Sequence, residues 1–218
     1  MKKFRELLKD PQSRERIKRK LGLQRVSEGR WEVARGVYDY SLLFEKIIGE
    51  SLLDFLTTLA KRKKRLSILD DGAGLGRFLS GIKAELKKRQ VDVDTSAVVL
   101  EKKQFFSEDI DNTHIGPAQF FLPGKKYDVI FSYYGSIHYT DELGHDTIKH
   151  MLPKYANVLN HGGVLLIGGN FIGIRTELFE QMKIAFQKQG FQITFMSNNL
   201  SSIRDRGEPS DILMIRRL

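Results

Sequence analysis

Three glycines and two carboxylates stand together in the stretch ILDDGAGLGRFL, residues 68–79. The glycines alternate over residues 72–76, directly after Asp70 and Asp71. A glycine-rich turn in front of a helix usually binds phosphate, because the N–H groups of a helix N-terminus favour an anion. A neighbouring carboxylate opposes an anion, since two like charges ~4 Å apart repel by about 1 to 4 kcal/mol, depending on the local dielectric. The combination favours a ligand that brings a positive charge close to a bare backbone turn.

The spacing of the glycines argues against the common phosphate-binding motifs. The dinucleotide fingerprint G-x-G-x-x-G needs a small third residue, and that place holds Arg77 or Leu79, depending on the glycine at which the count begins. The P-loop pattern G-x-x-x-x-G-K-S/T is absent from the sequence. A nicotinamide-dependent oxidoreductase is therefore disfavoured.

From residue 66 onward, short apolar runs alternate with amphipathic helical patterns. The apolar runs are LSILD, SAVVLE, YDVIFSYY and GGVLLIGGN, and the helical patterns lie near residues 77–89, 146–159 and 175–190. This alternation predicts a buried parallel sheet with helices on both faces. The last two apolar runs are FQITFMS and SDILMIRRL. They stand close together and predict an antiparallel finish.

The carboxyl ends of these strands bring the residues that could do chemistry together. In an open α/β sheet, the ligand lies beyond those ends. The turn at 70–76, Glu101 after the second strand, and the loops at 116–119 and 133–141 are therefore expected around one crevice. Asp71 is expected to be exposed or to cap the following helix.

Residues 1–64 are predicted to form a basic helical extension, or lid, ahead of a sheet domain at 65–218. Apolar side chains recur at helical spacing between residues 40 and 65, which predicts one long amphipathic helix. Residues 1–30 contain 11 Lys and Arg but only 4 Asp and Glu, and so carry +7 of the chain's net charge of +9. Such a segment either attracts nucleic acid or forms a solvated helix face.

Composition excludes several classes of function. The 218 residues include no cysteine, which excludes disulfides, thiolate metal sites and a cysteine nucleophile. No apolar run reaches the roughly 18 residues of a membrane helix, and no apolar segment follows the basic N-terminus, so we expect a cytoplasmic protein without membrane contact. His145 and His150 do not share a helix face, so no metal site is expected.

The order of these motifs resembles that of the class I S-adenosylmethionine-dependent methyltransferases. The family's first motif is an apolar strand followed by D/E-x-G-x-G-x-G, which Asp70, Gly72, Gly74 and Gly76 match position for position. The later motifs are matched by Glu101 and by the segments IGPAQFFLP, YDVIFSYYGSIHYTDE and ANVLNHGGVLLIGG. The resemblance extends to the C-terminus. It implies an α/β fold with a doubly wound, mostly parallel seven-stranded sheet (class I methyltransferase type) and an N-terminal helical extension.

The resemblance also implies S-adenosyl-L-methionine as the cofactor and a role for each matching residue. Asp70 and the glycine turn, including Ala73, would hold the methionine end of the cofactor. Glu101 would hold the ribose hydroxyls, and Asp92 and Asp94 are rival candidates for that role.

The resemblance assigns the adenine and the methyl group to two further loops. Ala118 and Gln119 would border the adenine. Pro117 stands where an acid is common in the family, so Gln119 or a backbone amide would have to recognise the base. Ser132 and Tyr133, with the two residues that follow them, would line the mouth where the methyl group is donated.

Four further side chains are candidates for catalysis or for a lid. His138 and Tyr134 are the candidates for catalysis. His138 could act as a general base, or it could only pack over the cofactor, because methyl transfer from a sulfonium depends mainly on positioning. Tyr38 and Tyr40 lie where the family often closes a lid, and ordinary aromatic packing is the alternative.

We therefore expect an S-adenosylmethionine-dependent methyltransferase that acts on an O or N nucleophile of a small molecule. The fourth motif reads SYYG at 132–135 and lacks the prolines of D/N/S-P-P-Y/F, which argues against methylation of exocyclic amines in DNA or of protein glutamine. Two alternatives stay open: an RNA methyltransferase that binds RNA through Lys and Arg of residues 2–30, and a methyltransferase-fold binding module without turnover. A monomer or a homodimer is expected.

Overall fold

The structure is a computed structural model that describes residues 35–100, 106–116, 118–135, 146–169, 176–197 and 211–218. Residues 34–218 group into one compact unit. The domain boundary that the sequence suggests between residues 64 and 65 stays a prediction.

Seven strands form a single sheet. They are β1 (Leu66–Asp71), β2 (Val93–Val99), β3 (Asn112–Ile115), β4 (Tyr127–Tyr133), β5 (Leu159–Gly169), β6 (Phe191–Ser197) and β7 (Asp211–Arg217). Their order across the sheet is β3-β2-β1-β4-β5-β7-β6, with the first five parallel and β7 antiparallel to both of its neighbours. The mostly parallel seven-stranded sheet and its antiparallel finish are confirmed.

The helices of the described residues are α1 (Val37–Ile48), α2 (Leu52–Ala60), α3 (Arg77–Lys88), α4 (Asp146–Asn157) and α5 (Thr176–Lys188), with a short 3-10 helix at Ala118–Phe120. α4 continues through Pro153. None of these helices combines the length and the apolar character that crossing a membrane would require.

The sheet separates two apolar clusters because successive strand residues point to opposite faces. Ile68 belongs to the cluster that α1, α2 and α3 cover, and the next residue, Leu69, belongs to the cluster that α4 covers. Both side chains are fully buried. The strands are therefore apolar on both faces, as buried parallel strands should be.

The prediction of one long helix between residues 40 and 65 is wrong, because two capping residues interrupt it. Gly49 adopts a left-handed conformation with φ of 82° and closes α1, and its N–H donates to the carbonyl of Glu45 at 2.9 Å. Ser51 then caps α2 by accepting a hydrogen bond from the Asp54 N–H at 3.1 Å. Glycine after a helix and serine before one are the favoured residues at these positions.

Candidate functional site

The candidate site lies at the carboxyl edge of the parallel strands, where β1 leads into the glycine turn. Asp70 stands near the end of β1 and is fully buried. The hydroxyl of Tyr40 on α1 donates to the carboxyl group of Asp70, at 3.0 Å from one oxygen and 2.9 Å from the other. Burial raises the pKa of Asp70 to about 8; the Tyr40 hydrogen bond and Arg35 oppose this rise, and Asp71 adds to it. Burial therefore favours the protonated form of the Asp70 carboxyl group.

Tyr40 is held by aromatic packing from three sides. Its ring stacks on Phe78 with a centroid separation of 3.7 Å and meets Phe131 and Tyr133 edge-on at 5.7 and 5.2 Å. Burial and the neighbouring Asp70 raise the pKa of Tyr40 well above its usual value, so the hydroxyl stays a donor. Tyr38, on the same helix, is 74% exposed. Of the two candidate tyrosines, only Tyr40 therefore contacts Asp70 at the start of the glycine turn.

The glycine turn has a backbone that only glycine adopts easily. Gly72, Gly74 and Gly76 all have positive φ, at 88°, 55° and 74°. The N–H groups of Gly72 and Ala73 donate to the carbonyl of Val98, at 3.0 and 3.2 Å, which ties the turn to the end of β2. A Cβ on Gly72 would come within 2.6 Å of the Cα of Gly135, which follows β4. The main chain of Gly135 therefore packs directly on Gly72, and the side chain of Ile110 packs directly on Gly76.

Asp71 is buried, contrary to the expectation that it is exposed or caps a helix. Its exposed fraction is 1%, and the hydroxyl of Ser132 on β4 donates to its carboxylate at 3.0 Å. The reason is that β1 runs one residue further than the apolar pattern suggested, so Asp71 belongs to the strand. A Cβ on Gly135 would overlap the carbonyl oxygen of Asp71, so β4 and β1 meet backbone to backbone here.

Two tyrosines and an arginine lie where β4 ends. Tyr133 and Tyr134 stack at 5.7 Å, and the guanidinium of Arg35 lies 4.4 Å from the first ring and 5.0 Å from the second. Tyr134 has a left-handed backbone with φ of 49°, and its N–H donates to the carbonyl of Gly168 at 2.8 Å. No pattern in the sequence singles out Arg35, because it precedes any recognisable motif.

A lysine supports the turn that the resemblance assigns to the adenine. Ala118 begins the short 3-10 helix and is buried. Lys154 on α4 donates from Nζ to the carbonyl of Ala118 at 2.7 Å. Burial lowers the pKa of Lys154 to about 8, and the carboxylate of Asp71 acts in the opposite direction. Sequence reasoning missed Lys154, since a lysine in a helical pattern reads as a solvated residue.

The remaining candidates divide into those at the wrong edge and those outside the described residues. Asp92 precedes β2, and Asp94 lies at its amino end, where it pairs with Lys125. Both are at the edge opposite the glycine turn, so they are wrong as ribose-binding candidates. Glu101 and His138 lie outside the described residues. Pro117 and the side chain of Gln119 lie outside them too. Over the described ranges, no group of three metal-ligating side chains converges.

No protein-family model and no curated protein sequence matches this chain. Solved structures do match it. A protein of Listeria monocytogenes, provisionally described as a class I S-adenosylmethionine-dependent methyltransferase, is 16% identical and superimposes with a TM-score of 0.57; the match covers 91% of this chain and 67% of that one. DesVI of Streptomyces venezuelae is 13% identical with a TM-score of 0.53, and the match covers 81% and 91%. The fold is therefore that of the class I methyltransferases.

Proposed function

We propose that this chain is an S-adenosylmethionine-dependent methyltransferase that transfers a methyl group to an O or N nucleophile of a small molecule. The observation that carries the proposal is the buried acid Asp70 at the base of a turn with three left-handed glycines, at the carboxyl edge of a class I methyltransferase fold. A second supporting observation is the fold itself, shared with a provisionally described methyltransferase of Listeria monocytogenes.

The residues present fit the chemistry of this cofactor. An ammonium or sulfonium near Asp70 would favour the charged form of its carboxyl group and displace the proton that burial retains. The glycines place no side chain of their own between the main chain of the turn and an amino-acid tail. Ala118 offers a buried apolar contact to the adenine, and Glu101 remains the proposed partner of the ribose.

When bound, the cofactor supplies a methyl group activated by a sulfonium. The chain's own residues then have to position the acceptor and exclude water. Ser132 and Tyr133 end β4 at the edge where that group would lie. Tyr134 retains a left-handed backbone that usually selects glycine, and such outliers often mark functional positions. We propose Tyr134 and Arg35 as the groups that contact the acceptor, with His138 kept as a candidate base.

A ligand titration followed by thermal unfolding tests the cofactor. S-adenosylmethionine and S-adenosylhomocysteine should raise the melting temperature, because a ligand at a hundredfold excess over its Kd adds about 2.7 kcal/mol to the free energy of unfolding. NADH should leave the melting temperature unchanged. No shift with either adenosyl compound would reject the proposal and favour a fold that serves only as an interaction module.

Two buried acids at opposite edges of the sheet provide a matched comparison. Asp70→Asn should weaken the shift that the adenosyl compounds cause. Asp128 lies at the amino end of β4, is 2% exposed and accepts hydrogen bonds from Ser67 N–H at 2.9 Å and Asn160 at 2.7 Å. Asp128→Asn should lower the melting temperature but keep the full ligand shift. Equal losses of the shift in both variants would count against a site at Asp70.

A further inference from the structure

We propose that Lys154 is a positioning residue for adenine recognition: its ammonium group binds the carbonyl of Ala118 and fixes the main chain of the 118–120 turn against the base. This inference rests on the proposed function. It adds a residue that no part of the motif pattern identifies, and it explains how a turn without a carboxylate could recognise adenine.

The contact joins two elements that are far apart along the chain. Lys154 lies in the third turn of α4, and its Nζ lies 2.7 Å from the carbonyl oxygen of Ala118, 36 residues earlier. Ala118 is 5% exposed and packs in the apolar cluster on the α4 face of the sheet. The charged end of a lysine therefore reaches into the apolar layer directly behind the turn. A hydrogen bond from a charged donor is stronger than one from a neutral donor.

The turn needs such support because the sequence offers no acid to hold the base. Pro117 occupies the position where a carboxylate could accept from the adenine amino group, and a proline also has no N–H to donate. Recognition then falls on Gln119 or on the main chain of the turn. Main-chain groups discriminate between bases only if their position is fixed, because a mobile donor or acceptor adapts to either partner.

Asp71 and Ser132 complete the support from the side of the glycine turn. Asp71 interacts electrostatically with Lys154, and its carboxylate is held by the Ser132 hydroxyl at 3.0 Å. Asp71 also stands between Asp70 and Gly72 in the sequence. Lys154 is therefore linked to both walls of the candidate site: the 118–120 turn by a hydrogen bond, and the end of β1 by charge.

The test compares the affinity for S-adenosylhomocysteine with that for S-inosylhomocysteine, by calorimetry on the full chain. The two ligands differ only at the base: hypoxanthine exchanges the amino donor and ring acceptor of adenine for a carbonyl acceptor and a ring donor. The wild type should prefer the adenine ligand by about two- to tenfold, since one net hydrogen bond is worth that much in an equilibrium constant. Lys154→Met should lose most of this preference, and Lys154→Arg should recover part of it.

Lys83→Met is the matched control. Lys83 on α3 also donates to a main-chain carbonyl, that of Asp109 at 2.9 Å, but in a different loop. The Lys83→Met variant should keep the wild-type ratio of the affinities for the adenine and hypoxanthine ligands. If Lys154→Met does not fold, Lys154→Gln takes its place; its neutral amide ends one atom short of the ammonium and should also lose the preference.

The outcomes separate this inference from the proposed function. If the wild type binds neither ligand, the proposed function fails. If the wild type prefers adenine and the folded Lys154 variants keep that preference, Lys154 is only a structural residue and the inference is wrong. A fall in affinity for both ligands by the same factor has the same meaning, because a general loosening of the site does not change the ratio.

Discussion

At the scale of single residues, Asp70 determines how the stability of the protein should depend on pH. Its pKa is about 8 in the folded state against 3.8 as the ordinary value. Between these two pH values the unfolded chain has lost the proton and the folded protein retains it. The unfolded state then binds fewer protons, so the free energy of unfolding should fall as pH rises from about 4 to about 8 and level off above that.

Asp70→Asn removes this dependence, because an amide does not titrate in this range. The difference in unfolding free energy between Asp70→Asn and the wild type should grow in favour of the variant by up to about 1.4 kcal/mol per pH unit until the folded-state pKa is passed. Urea denaturation at a series of pH values from about 5 to about 9 measures it. Parallel curves for the two proteins would show that Asp70 is already charged in the folded protein.

Single residues also mark where the sequence stopped being informative. Asp70 and the three glycines lie where the motif places them, because their spacing encodes the turn directly. Asp71 and Lys154 could not be placed from sequence. Asp71 is buried and Lys154 is partly buried, and each makes its contact with a distant element, Asp71 with Ser132 and Lys154 with Ala118. The spacing of apolar residues predicts which side chains face the core. It does not predict that a charged side chain will bind a partner far away in the sequence, 36 residues away for Lys154 and 61 for Asp71.

At the scale of elements, α1 connects the segment before the sheet to the candidate site. Tyr40 does this with its ring, which packs on Phe78, and with its hydroxyl, which binds Asp70. The two functions can be separated by Tyr40→Phe, which keeps the ring and removes the hydroxyl.

Tyr40→Phe should destabilise the protein by about 1–2 kcal/mol, since it removes a buried hydrogen bond and leaves the acceptor without that donor. Tyr38→Phe is the control on the same helix, and its effect should stay within about 0.5 kcal/mol because that side chain is exposed. Denaturant unfolding of both variants measures the difference. Equal effects would mean that the Tyr40 hydroxyl contributes nothing specific at Asp70.

Element boundaries were predictable where the local pattern was strong. The strands at 127–133 and 191–197 were anticipated to within a residue, because nearly continuous apolar runs define them. The break between α1 and α2 was missed, since one amphipathic stripe passes over it. β3 was expected only from the family resemblance. Its four residues are largely exposed at the edge of the sheet, so it has no apolar run to detect.

At the scale of the whole molecule, the two edges of the sheet carry different chemistry. The carboxyl edge has the glycine turn, buried Asp70 and Asp71, and the Arg35–tyrosine stack. The amino edge has an ordinary structural network around Asp128, which binds Lys63 and the β1 backbone. The ordered motifs were enough to predict this architecture. The acceptor could not be predicted, because its contacts fall partly on loops whose sequence has no periodic or motif constraint.

The charge of the molecule is concentrated in residues 1–30, which carry +7 of the net +9, and this asymmetry distinguishes the two proposed acceptors. Under the small-molecule proposal, deleting these residues should leave the affinity for S-adenosylhomocysteine within about threefold and nearly independent of salt, because no phosphate contacts or released counterions contribute.

The full chain should then bind a short single-stranded RNA only at the non-specific level, with a Kd of about 10⁻⁴ to 10⁻⁶ M at physiological salt. Fluorescence anisotropy over a salt series, on both proteins, measures this. Tight RNA binding that weakens steeply with salt and disappears with the deletion would instead favour the RNA methyltransferase, because lysines and arginines that neutralise phosphates produce that dependence.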